Sequence, residues 1–213
     1  EHTHESLGLF LVQYLCNGFN LADAARLVYD DHYFKSGRKS FRFIRKKTED
    51  RSDTEIVIPI IEPLQKILDE IAAEPIKGSL VFPQIYAGEQ NPEGMKARVS
   101  QENQNIRKRL GRLVKTMGWE VAPSGTWCRH SFATNLSHAG GVPKEYIQEA
   151  MGHSVMSGTV TDRYIQTYPL ARQMEFNSKL LKVGNQVDIM GELQGLTPDQ
   201  IQALIEMVKK NKS

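Results

Sequence analysis

The chain has 213 residues, 40% hydrophobic and 24% charged, with a net charge of +2 and a pI near 8.5. That is enough for one sizeable core, or one domain with a tail. No apolar run approaches the ~18 residues of a membrane span, no signal-peptide pattern opens the chain, and Cys16 and Cys128 form no C-x-x-C pair or disulfide framework, which suits a reducing cytosol.

In chain order, Leu7 to Leu15 reads as a mostly buried helix stopped by Asn17-Gly18. Asn20 is an N-cap for a second helix, with Asp23 at its third position and Leu21, Ala24, Ala25 and Val28 as its apolar face. Phe41 to Lys47 and Thr54 to Ile60 alternate as two strands, with polar Glu49 to Asp53 as the hairpin loop. Pro63 opens a helix carrying Leu64, Ile67, Leu68 and Ile71. "SLVFP" is a short buried strand or turn, and Ala87 to Gly94 a loop.

Gln101 to Met117 is expected to be an amphipathic helix, with Ile106, Leu110, Leu113, Val114 and Met117 on one face and Lys108, Arg112 and Lys115 on another. Arg129 to His138 forms a further helix with Phe132, Ala133 and Leu136 inward. Pro143 begins the next, which ends at Gly152. After Leu181 the composition turns to a polar linker, and Thr197-Pro198-Asp199-Gln200 is a capping box for a last helix with Ile201, Leu204, Ile205 and Val208 on one side. The fold class is mostly α with a small antiparallel sheet (α+β).

Charge is concentrated rather than large. Lys35 to Arg51 holds eight cations, and a second cluster holds Lys96, Arg98, Arg107, Lys108, Arg109, Arg112 and Lys115. Two such clusters on a near-neutral chain suit a polyanion, or else form ordinary solvated faces. Metal-ligand spacing, a Walker lysine, a dinucleotide glycine fingerprint and a G-x-S-x-G elbow are all missing from the sequence. What remains is Arg129-His130, Gly152-His153 and Tyr164, following a strand with Arg45 and Lys47.

"RKKTEDRSDTEIVIPI", "TWCRHSFATNL", "MGHS" and "TDRY" come in the order, and at separations similar to those, of the tyrosine recombinase (phage integrase) family. The resemblance covers roughly Leu7 to Leu181, and "GFNLADAARLVYDD" with the lysine hairpin looks most like integrases of bacterial mobile elements. It implies the recombinase catalytic-domain fold over residues 1–181, and a linker and C-terminal helix over 182–213 that docks on a neighbouring protomer or, alternatively, folds back on its own core. It implies a site-specific recombinase that cleaves and rejoins double-stranded DNA through a 3′-phosphotyrosine, with no metal or other cofactor, acting as a tetramer on DNA in the bacterial cytoplasm. Because the sequence begins at Glu1, the chain is read as a monomeric fragment lacking the family's N-terminal DNA clamp.

The residue roles follow from that resemblance. Tyr164 is the expected nucleophile, with Tyr168 as its rival; Arg129 binds the phosphate; Lys47, or its neighbour Lys46, protonates the leaving oxygen; His153 hydrogen-bonds the phosphate or deprotonates Tyr164, unless it only caps its helix. Lys46, Lys108, Arg112 and Lys115 are the expected DNA contacts. His130 is expected to be a structural hydrogen-bonder lining the site.

Two positions depart from the family. Asn20 stands where a first catalytic arginine is usual, and Thr126 where a histidine is frequent; neither supplies what it replaces. Strand alternation puts Arg45 on the same face as Lys47, so Arg45 is the expected substitute cation, with Arg26 as the alternative. The competing function is a DNA-binding protein of recombinase fold that has lost catalysis.

Overall fold

The computed structural model describes residues 2–45, 54–121, 123–152, 168–181 and 197–210. At its centre is α1 (His2–Leu15), buried at every position from Ser6 onward, as an all-round apolar helix must be. It stops where Asn17 and Gly18 take φ of 55° and 68°. Around it pack α4 (Glu62–Ile71), α5 (Pro92–Thr116), α6 (Gly125–His138) and α9 (Pro198–Lys210).

Two short helices lead from α1 to the sheet. In α2 (Leu21–Ala25) Asn20 is the N-cap: its side chain accepts from Asp23 N, and the Asp23 carboxylate accepts from Asn20 N. Val28 lies beyond this helix and instead bridges to Leu80. In α3 (Asp31–Lys35) Asp30 caps the first turn by accepting from Tyr33 N.

The hairpin is β1 (Ser40–Arg45) and β2 (Thr54–Pro59), antiparallel, in register from Ser40 opposite Pro59 to Arg45 opposite Thr54. Phe41, Phe43, Ile56 and Ile58 face the core, while Arg42 and Ile44 face out. Arg45 has the parity of the two phenylalanines and points inward with them.

The long helix begins earlier than periodicity indicates. Asn91 accepts from Glu93 N and Pro92 takes the first helical position, so "NPEG" is a helix start and not the end of a loop. Likewise α6 begins at Gly125, after Ser124, rather than at Arg129. The helix after Pro143 is α7 (Lys144–Ala150), closed by Gly152 at φ 67°. Next come α8 (Leu170–Ser178), a single 3₁₀ turn at Lys179–Leu181, and α9, whose capping box joins Thr197 N to Gln200 Oε1 at 2.8 Å and Gln200 N to Thr197 Oγ1 at 3.3 Å. The stripe Ile201, Leu204 and Ile205 is buried, with α1 and the 3₁₀ turn of the same chain beside α9.

A buried polar network ties the last part of the chain to the first. Asn17 Nδ2 donates to Val57 O at 3.0 Å, Asn177 Nδ2 donates to Asn17 Oδ1 at 2.9 Å, and Tyr146 Oη donates to Asn177 Oδ1 at 2.7 Å. One side of the core therefore joins α1, β2, α7 and α8. Each of these buried amides and hydroxyls is paired, as burial requires.

Candidate active site

The site is built where α2, the end of β1, the first half of α6 and the end of α7 meet. Arg129, one turn into α6, donates through Nη1 to Gly18 O at 3.3 Å and through Nη2 to Met151 O at 3.0 Å. Arg45, at the end of β1, donates through Nη1 to that same Met151 oxygen at 2.6 Å. One carbonyl oxygen thus accepts from two guanidiniums.

Asp23 holds Arg45 from behind. Arg45 Nη2 lies 2.5 Å from Asp23 Oδ2, and Arg26 Nη2 lies 3.0 Å from Asp23 Oδ1. The Asp23 side chain is only 4% exposed and that of Arg45 11%, so this pair sits out of bulk water. Phe19 lies under the Arg45 guanidinium at 5.8 Å and Phe43 under that of Arg26 at 5.1 Å.

The balance of charge is positive. Arg26 and Arg45 both pair with Asp23, and Arg129 faces Arg45 beside them. Burial, and then repulsion from Arg45, hold the Arg129 pKa below the ordinary arginine value, with Asp23 opposing. Such a pair of cations is preorganised for an oxyanion: the arginine fork matches two phosphate oxygens, and its energy grows as negative charge develops.

Gly152 makes the corner. Its φ of 67° suits glycine, and a Cβ there would stand 2.7 Å from Ile56 Cδ1 and 3.6 Å from Arg45 Cδ. The turn that ends α7 can therefore close directly onto β2 and the arginine pair.

Of the other residues singled out in the sequence, Asn20 is exposed and is occupied as the cap of α2, and Thr126 is exposed on the first turn of α6. His130 is exposed at the sixth position of α6 and makes no hydrogen bond among the described residues. Arg26 reaches the pair only through Asp23. Lys108, Arg112 and Lys115 are exposed together on α5. Lys46, Lys47, His153 and Tyr164 lie outside the described residues.

Tyr168 lies within them. Its ring meets Tyr146 at 5.5 Å and Phe176 at 5.6 Å, and its carbonyl accepts from Gln173 Nε2 at 2.6 Å. Asp23 was legible only as a helix cap; its second role needed the strand that brings Arg45 to it. Among the described residues no helix is long and apolar enough to cross a membrane.

The described residues thus form a mostly helical α+β domain that gathers arginines around a strand end and a helix corner. The chain belongs to the phage integrase family, whose model matches residues 6–170. That makes it a member of a DNA-recombinase family, with DNA as its partner. No curated protein and no solved structure matches it.

Proposed function

We propose that the chain is a tyrosine-type site-specific recombinase of a mobile element, cleaving and rejoining DNA through a 3′-phosphotyrosine on Tyr164. The observation that carries this reading is the convergence of Arg45 and Arg129 on Met151 O, one residue before Gly152-His153. In this reading Arg45 supplies the cation that Asn20 does not. Thr126 contributes at most a hydroxyl.

The Tyr164 phenolic oxygen attacks the scissile phosphorus and forms the new P–O bond, while the bond to the 5′-oxygen breaks. His153 takes the phenol proton, and Lys47 gives a proton to the leaving 5′-oxygen. Arg129 and Arg45 meet the two nonbridging oxygens as their charge rises. The phosphodiester energy is kept in the tyrosyl link, and a 5′-hydroxyl reverses the step on the same or a partner strand. A tetramer on DNA allows the exchange.

The packing of Tyr168 against Tyr146 and Phe176 supports Tyr164 over its rival. Asn20 and Thr126 favour the second reading, a DNA-binding protein without catalysis.

A nicked duplex that loses the short fragment bearing the freed 5′-hydroxyl traps the covalent product. The wild type should leave an adduct on a denaturing gel, Tyr164→Phe none, and Tyr168→Phe an adduct. A duplex shifted only on a native gel selects the second reading.

A further inference from the structure

Gly111 lies well inside α5, where a glycine weakens a helix relative to alanine. Every other described glycine has a reason in the fold: it either takes a positive φ or would set a Cβ against a neighbouring side chain. Gly111 does neither, and nothing lies within 4 Å of where its Cβ would stand.

The surroundings of this bare spot are all of one sign. Arg107 and Lys108 stand one turn before it, Lys115 one turn after, and Arg112 beside it. With Gln104 they line an open groove of ≈480 Å³. At 100° per residue these side chains span about 140° of the helix. All four cations are exposed, and none pairs with a carboxylate among the described residues. Of the two acids on this helix, Glu93 sits in the first turn, and Glu102 is turned to Arg109 and Asn105.

We propose that Gly111 is the seat of a phosphodiester of duplex DNA. The missing side chain lets a phosphate oxygen approach the helix backbone closely, within reach of cations above, below and beside it. Charge complementarity selects the duplex backbone as occupant, and a phosphate contact fixes position without reading sequence. The proposal rests on the DNA-recombinase reading.

The test uses the full chain, thermal melts, and anisotropy with fluorescent duplexes of two unrelated sequences over a salt series. Gly111→Ala should raise Tm by about 2–4 °C while weakening binding. Gly111→Leu should weaken it about tenfold or more, equally on both sequences. Lys108→Ala should also weaken binding and lower the salt slope by about 1.

If Gly111→Leu binds like the wild type while Lys108→Ala is impaired, α5 faces DNA but Gly111 is no seat. If Gly111→Leu alters only self-association, the occupant is protein and the proposal fails. Absence of duplex binding by the wild type removes the DNA reading itself, and the seat with it.

Discussion

Arg45 and Arg129 come from a strand and a helix far apart in the chain, yet both donate to the carbonyl oxygen of Met151. The pair needs no induced movement to be adjacent. Loss of one preorganised donor costs on the order of 10²–10³ in rate. Arg45→Ala and Arg129→Ala should each lower covalent adduct formation by about that much, with duplex affinity changed much less. The double variant should fall less than the product of the two, because the residues act as one unit. Single-turnover cleavage against anisotropy decides it; Arg45→Ala cleaving like the wild type ends the substitute-cation role.

Asp23 separates folding from catalysis. Asp23→Ala leaves Arg45 buried without its counter-ion, a change that costs about 3–5 kcal/mol. Urea denaturation should show that loss. Arg26→Ala removes a half-exposed pair and should cost about 1 kcal/mol or less. If the two variants lose equal stability, Asp23 is only a helix cap.

Glu149 gives the fold a pH dependence. The carboxyl is half-buried near the end of α7; burial raises its pKa above the usual 4.5, and a hydrogen bond from Tyr168 N partly offsets this. The folded state then holds its proton more tightly than the unfolded chain. This contribution to stability is greatest at low pH and is lost as pH rises through the raised value. Glu149→Gln keeps an acceptor for Tyr168 and stays neutral. Relative to wild type its Tm should gain most at neutral pH and least below about pH 4, near the ordinary Glu pKa. A Tm difference constant across pH 4–8 refutes the role.

The stripe of α9 is covered by its own chain in this structure, and the sequence leaves docking on a neighbouring protomer open beside it. Ile201→Ala combined with Leu204→Ala should lower stability by about 4 kcal/mol or more, at any protein concentration, if the seat within the chain is the one used in solution. A loss that grows on dilution, or a defect confined to paired DNA complexes, supports docking in trans instead.

Much of the fold was legible because its signals are local. The stop at Asn17-Gly18, the Asn20 cap, the strand alternation and the Thr197 capping box each act within about one helical turn or a strand pair. Punctuation misled where one residue type serves two purposes. Asn91-Pro92 reads as a loop but starts α5, and Ser124-Gly125 starts α6 before the arginine. The short helices α3 and α8 lacked enough periodic residues to stand out. At the site, strand parity alone placed Arg45 inward. Its partners Asp23 and Met151 O were not legible, because a buried ion pair and a shared carbonyl arise only when distant segments meet.

The amide of Asn17 also sets an order of events. It is the junction between Val57, 40 positions on, and Asn177, 160 positions on, and Tyr14 Oη donates to Leu180 O across 166. Loops of that length close late in folding, after helices and hairpins have formed. During synthesis, α1 must wait with unfilled polar partners until almost the entire domain has left the ribosome. The arginine pair waits in the same way for Met151, 106 positions after Arg45, so a nascent chain has no completed pair.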